Sequence, residues 1–295
     1  RVPIACELIW GLIGDNLASF ETNLDRLFAV FPTINIFGYT LLPGTEFYGK
    51  REEYQIETLP VAGYGKAKGE YVVGCMSFPI EEGLEGYFLI TAHLLMSRGY
   101  MMPLTLRYLA LTEAVPVAGM MRSMLHALCA EFSEEIPGLN AADKMGVYEF
   151  REELFVTSFT YPERTYQCVQ RVALQWIEDH MDNNAQAANL KHRVTQLLEL
   201  DQAFAPHTGA TRDITAHFNF DADKVMDTLE GMDLPAAALF AEQPTEIGIH
   251  IPGGVGDIIK DPDGGVWIHA ERSTSKDEHA AKLQPVTVQA LALPA

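Results

Sequence analysis

The stretch Glu7-Leu8-Ile9-Trp10-Gly11-Leu12-Ile13-Gly14-Asp15 sets the fold class. With Ile4, Ala5 and Cys6 before it, it forms a nearly continuous apolar run, Glu7 being the exception, that closes on Gly11 and Gly14. Such a run is expected of a strand buried on both faces of a parallel sheet. Asp15 is placed to cap a following helix, and Leu17, Phe20, Leu24, Leu27 and Phe28 recur at helical spacing, which predicts a helix over residues 16–30. Pro32 stops it. Ile34 to Leu42, rich in β-branched and aromatic residues, predicts a second strand that Pro43 and Gly44 end. Strand, helix, strand is the usual crossover between neighbouring parallel strands, so an α/β sheet or barrel is expected.

Further along, Gly49 to Pro79 reads as a long irregular connection, of the kind that is often functional. Glu81 to Arg98 carries Leu84, Tyr87, Phe88, Leu94 and Leu95 on one helical face, with Gly99 as its stop. Residues 104–204 read as helices: Met120, Met121, Met124, Leu125, Leu128 and Phe132 mark one, Tyr166, Val169, Val172, Trp176 and Ile177 a second, and Leu190, Val194, Leu197 and Leu198 a third. Tyr161-Pro162-Glu163 is a helix start with proline in the first turn. The methionines are expected to fill core space. After Pro206, Ile214, Ala216, Phe218 and Phe220 alternate with polar positions as a half-buried strand does, as do Ile247, Ile249 and Ile251. Asp221 is a candidate cap, and Asp261-Pro262-Asp263-Gly264-Gly265 is a hairpin-turn signal. Three regions follow: residues 1–100, a helical region 101–206, and a small α+β unit 207–295.

Composition bounds the function. The chain has 295 residues, 48% hydrophobic and 21% charged, which are ordinary globular values. Forty acidic against 21 basic side chains give a formal charge of -19, which repels phosphate backbones and anionic membrane surfaces and argues against nucleic acid as a partner. No uncharged apolar run approaches the roughly 20 residues of a membrane span, and no signal sequence opens the chain, so no membrane partner and a cytoplasmic location are expected. The four cysteines, Cys6, Cys75, Cys129 and Cys168, are far apart and read as reduced, mostly buried thiols. The chain opens on Arg1 and enters an apolar run within a few residues, which leads to the expectation of a piece of a longer protein.

Two segments carry a family resemblance. Glu7 to Asp15, with Ser19 and Phe20, resembles the fifth strand and helix start of the radical S-adenosylmethionine barrel, whose usual wording is Leu-Ile-Tyr-Gly-Leu-Pro-Gly followed by an acidic residue or glutamine; Ile13 replaces the proline here. Asn35 to Tyr48, with Leu42-Pro43-Gly44-Thr45-Glu46, is similar to the sixth strand and its exit, and Lys50-Arg51-Glu52-Glu53-Tyr54 continues the likeness to members that carry a cobalamin domain. The likeness covers about the first 55 residues and, more loosely, the chain to Gly99. It implies the C-terminal part of a radical S-adenosylmethionine partial (β/α) barrel in residues 1–100. It also implies an intact parent that uses S-adenosylmethionine, a [4Fe-4S] cluster and cobalamin on a small-molecule or peptide substrate, as a radical methyltransferase or related enzyme of secondary metabolism. In that family the apolar residue of the fifth strand packs on adenine, which points to Ile9. Gly11, with no bulk on the turn, and the backbone near Leu41 complete the expected cofactor contacts.

The cluster motif Cys-x-x-x-Cys-x-x-Cys is absent from the sequence, as is a cobalamin domain, so this chain alone is expected to be inactive. Other chemistry finds little support. No His-x-x-x-His or Glu-x-x-His spacing occurs, and His93, His126 and His180 read as helix residues at the edge of the core. Pro252-Gly253-Gly254-Val255-Gly256-Asp257 lacks the Lys-Ser or Lys-Thr of a phosphate loop. Glu134-Glu135 and Glu152-Glu153 read as solvated faces, and no Gly-x-Ser-x-Gly elbow is present. The alternatives are a non-catalytic binding module that retains barrel remnants, and an unrelated α/β enzyme.

Overall fold

The computed structural model describes residues 5–60, 69–98, 101–251 and 271–273, which form a mixed α/β fold with small sheets. β1 (Ala5–Trp10) pairs in parallel with β2 (Thr33–Gly38), and α1 (Leu17–Phe28) makes the crossover between them. Burial on both faces, the expectation for β1, is not what forms. Trp10, Ile34 and Ile36 are buried and Cys6 and Leu8 half-buried on one face, while Glu7, Ile9 and Phe37 are exposed on the other. Among the described residues, one face of this pair is covered and one is open.

The start of α1 differs by one residue from the sequence reading. Asn16 is the cap, its side-chain oxygen accepting from the Ser19 amide at 2.9 Å. Asp15 is taken up by the preceding turn, where its Oδ2 accepts from the amides of Gly11 (3.0 Å) and Leu12 (2.9 Å). The second strand also corrects the sequence reading, because the ladder breaks at Tyr39. Its amide donates to Trp10 O at 2.7 Å, while its carbonyl accepts from Val72 N at 3.1 Å, handing the chain from one sheet to another.

That second sheet is antiparallel, in the order β3 (Thr40–Leu41), β5 (Glu70–Gly74), β4 (Glu57–Pro60), with the four-residue helix α2 (Glu46–Gly49) between β3 and β4. The expected irregular connection over 49–79 therefore contains two paired strands. Beyond β5, α3 (Ile80–His93) runs into a π-helical turn (Leu94–Arg98); the predicted stop, Gly99, lies outside the described residues. Glycine lets α3 press its backbone onto both sheets. A Cβ on Gly83 would sit 1.7 Å from Val73 O, and one on Gly86 would sit 2.0 Å from Trp10 Nε1. The Trp10 indole uses the approach to donate to Gly83 O at 3.0 Å.

Six further helices follow: α4 (Pro103–Thr112), α5 (Val117–Glu131), α6 (Lys144–Glu149), α7 (Arg151–Thr160), α8 (Pro162–His180) and α9 (Asn184–Ala203). Met120, Met121, Met124, Leu125 and Leu128 on α5, Val169 and Ile177 on α8, and Val194 and Leu197 on α9 are buried, as their spacing predicts. Neither α4 nor α5 has a capping side chain of its own at its first residue. Distant carboxylates supply both caps. Asp201 of α9 accepts from the amides of Leu104 and Thr105, and Asp25 of α1 accepts from those of Val117 (2.9 Å) and Ala118 (2.8 Å).

In the last described region β6 (Arg212–Phe218) and β7 (Thr245–Ile251) pair antiparallel, with β8 (Glu271–Ser273) beside β7. Between β6 and β7 lie α10 (Ala222–Glu230) and a 3₁₀ turn (Ala237–Phe240). Asp221 caps α10 as predicted, its side chain accepting from Lys224 N at 3.2 Å, and Ile247, Ile249 and Ile251 are buried on one side of β7. The predicted turn at Asp261 to Gly265 and the glycine-rich segment from Pro252 lie outside the described residues. No helix among the described residues is long and apolar enough to cross a membrane.

Candidate functional site at the carboxyl end of the parallel pair

β1 ends at Trp10, which is locked between the Phe20 and Phe78 rings, with centroids 4.8 and 5.1 Å away. The next residue, Gly11, takes φ +101°, a conformation that side-chain-bearing residues rarely adopt. A Cβ there would lie 3.4 Å from Val72 O and 3.5 Å from the Cβ of Tyr39, and Gly11 itself is buried, so the turn is packed closely against Tyr39. Gly14 is held by a second loop. Its amide donates to Ser77 Oγ at 2.9 Å, and Ser77 Oγ lies 3.0 Å from Cys75 Sγ, within the tight turn that joins Cys75 to Phe78. The loop 11–15 is thereby fixed from both sides, by Asp15 within it and Ser77 across from it.

Ile9 stands two residues before Gly11, 48% exposed on the open face, and its rung partner Phe37 is also 48% exposed. Gly11 adjoins it at the carboxyl end of the strand. Leu41 lies further along the chain that leaves β2: its side chain is fully buried and its main chain pairs with Glu70 in the other sheet, which leaves only backbone to meet a ligand. Phe37 did not emerge from the sequence as a site residue. Period-two alternation applied to both strands, with the register 9 to 37, was the signal that pointed to it.

Behind the site, Tyr87 of α3 fills the space a side chain on Gly38 would take, its Cε1 only 2.2 Å from that Cβ position. Tyr87, Tyr71 and Tyr148 pack edge to face with centroids 5.3 to 5.6 Å apart, and the Tyr87 hydroxyl donates to Tyr39 O at 3.4 Å. Burial pushes the Tyr87 hydroxyl well above the ordinary tyrosine range, and Tyr39 is raised by burial too. These rings form a rigid backing.

All four cysteines are free thiols, three of them buried, and among the described residues no group of three or more His, Cys, Asp or Glu is placed to hold a metal ion. The described residues do not fit an iron-sulfur cluster. His93 serves the fold, with Nε2 2.9 Å from Ile34 O. His126 lies beside Lys144, whose Nζ is 2.9 Å from its Nε2. No protein-family model matches the chain, and no curated protein matches it either.

Proposed function

We propose that this chain is the C-terminal portion of a cobalamin-dependent radical S-adenosylmethionine enzyme, with β1, α1 and β2 as the last strands of a partial (β/α) barrel. The observation that carries the reading is the open face of the parallel pair, with Ile9 exposed on it two residues before the Gly11 turn. Parallel strands are ordinarily covered on both faces, and a barrel covers the second face with its own far wall. In this reading the open face lines the barrel lumen and the loop 11–15 sits at the carboxyl end, where barrel sites form.

The work of these residues is to bind and orient. Ile9 supplies apolar contact for adenine, Gly11 turns the chain at the end of the strand, Asp15 and Ser77 hold the loop in register, and the backbone at Leu41 bounds the far side. In the intact parent, a cluster, S-adenosylmethionine and cobalamin held by residues outside this sequence would supply the radical chemistry and the methyl group, for a small-molecule or peptide substrate in the cytoplasm. A second reading, a non-catalytic module that binds a ligand on the same face, is favoured by the lack of cluster ligands in the sequence.

The coding DNA on the 5′ side of the Arg1 codon tests the proposal. A Cys-x-x-x-Cys-x-x-Cys motif and a cobalamin-binding domain within the preceding few hundred codons are expected. A start codon directly before Arg1, or a long open frame without the motif, sinks it.

A further inference from the structure

We infer that Arg107 and Ser97 form a site for a phosphate group, free or at the end of a small metabolite, in a cavity at the amino end of β2. The site lies at the opposite end of that strand from the loop 11–15 and owes nothing to the open face. Phe28, Phe31 and Ile34 line its apolar side, and Thr33, Ser97 and Arg107 complete the wall. The cavity measures about 160 Å³. That is several times what one water needs, and below the roughly 300 Å³ at which sites for drug-sized ligands begin. A small ion or a terminal group fits; a whole nucleotide does not.

Arg107 is a half-buried cation without a counter-ion. Its guanidinium donates to Leu229 O at 3.2 Å and to Pro32 O at 2.9 Å, both neutral carbonyls, and it forms no ion pair with a described residue. The nearest negative charges do not supply one. Asp201 spends both oxygens on the first turn of α4, and Glu230 is exposed. Burial outweighs both charges and lowers the Arg107 pKa, as expected of a cation withdrawn from water and left uncompensated. Buried charges are ordinarily paired. Two of the five guanidinium donors are committed to carbonyls that fix the plane of the fork, and three remain. Ser97 belongs to the π-helical turn, a form of backbone frequent at functional sites, and its hydroxyl makes no hydrogen bond with a described residue. A phosphate group has oxygens for the guanidinium fork and one more for a hydroxyl, whereas a carboxylate is used up by the fork. The acidic excess of the chain is screened beyond about 8 Å, so the local cation decides.

The full chain, labelled with nitrogen-15, is titrated at constant ionic strength with inorganic phosphate, glycerol phosphate and acetate, and read by the Arg107 Nε–H resonance and the thermal midpoint. A saturable shift with a dissociation constant of about 1 mM or tighter is expected for a phosphate probe, with acetate at least tenfold weaker. Glycerol phosphate tenfold tighter than inorganic phosphate assigns the site to a terminal phosphoryl group, and the reverse order assigns it to the free ion. Arg107→Lys keeps the charge, loses the fork and binds about tenfold more weakly. Because that variant also loosens the ties to Leu229 and Pro32, Ser97→Ala provides a second reading. It removes no hydrogen bond of the fold and is expected to bind about fivefold more weakly, with a smaller phosphate-induced rise in midpoint. No saturable shift with either phosphate probe, acetate binding as tightly as phosphate, or a Ser97→Ala variant that binds like wild type overturns the inference. The coding-DNA result bears on the radical-enzyme reading alone, so either can fail without the other.

Discussion

Thr105 donates twice to one oxygen of Asp201, from its hydroxyl at 2.6 Å and its amide at 2.9 Å, while Leu104 N donates to the other oxygen at 3.0 Å. The first turn of α4 is thus closed by a carboxylate from α9, in a site where Asp201 is 1% exposed. Asp201→Ala strands two amides and a hydroxyl in the interior and is expected to lower stability by about 2–4 kcal/mol. Denaturant titration with an unchanged m-value checks this.

The same residue makes stability depend on pH. Burial pushes the Asp201 carboxyl up to about 7 from an ordinary 3.8, against the hydrogen bonds from Thr105 and Leu104 that favour the ion. A raised folded-state value means that the native protein holds the proton more tightly than the unfolded chain. Its contribution is full below pH 3.8 and is lost as pH rises through about 7. The difference in unfolding free energy between wild type and Asp201→Asn is expected to change across that window; a difference that stays flat between pH 4 and 7.5 refutes the assignment.

His126 pulls the other way. Burial chiefly, and then the Lys144 ammonium, lower its pKa from the ordinary 6.5. A depressed base binds its proton less readily when folded, so its contribution is full above pH 6.5 and falls as the pH drops below that value. In Lys144→Met the His126 midpoint, followed by its ring resonances, is expected to rise and still remain below 6.5, because burial is the larger cause. An unmoved midpoint refutes the Lys144 contribution.

Gly86→Ala drives a methyl group to within 2.0 Å of the Trp10 indole nitrogen. The indole must leave its bond to Gly83 O and its contacts with Phe20 and Phe78. A loss of about 3 kcal/mol or more and a blue-edge change in tryptophan fluorescence are expected. An Ala variant with wild-type melting and emission contradicts the packing.

Gly11→Val tests the turn that closes β1. A β-branched residue at φ +101° is strained whatever the space around it, at about 1–3 kcal/mol. Because Gly11 is buried against Val72 O and Tyr39, a valine also crowds the junction of the two sheets, and a total loss of about 2–5 kcal/mol is expected in denaturant titration. A variant with wild-type stability contradicts the close packing of this turn.

What the sequence disclosed follows the range of the interactions involved. Periodicity within one helix marked α5, α8 and α9, since Met124, Val169 and Val194 each bury against a stripe of their own neighbours. Alternation marked β7 through Ile247, Ile249 and Ile251. β1 misled for a physical reason: Ile9 is as apolar as its buried neighbours, so a half-exposed strand reads like a fully buried one. β4 and β5 were hidden because Leu59 finds its partner in Tyr71 only after the chain returns. The caps on α4 and α5 come from 97 and 92 residues away, beyond any local pattern. For the site, the motif in residues 7–15 led to Ile9 and Gly11, whereas Phe37 required the register between two strands.

The open face of the parallel pair has a colloidal consequence. An exposed strip holding Ile9 and Phe37 on a parallel sheet is a ready surface for self-association. Two copies each carrying a formal charge of -19 repel one another over a screening length of about 8 Å at physiological salt and about 3 Å at 1 M. The acidic excess therefore acts as a salt-sensitive guard on a sticky surface. Concentrating the protein in high salt is expected to bring copies together through that face, and Phe37→Ser to keep them apart.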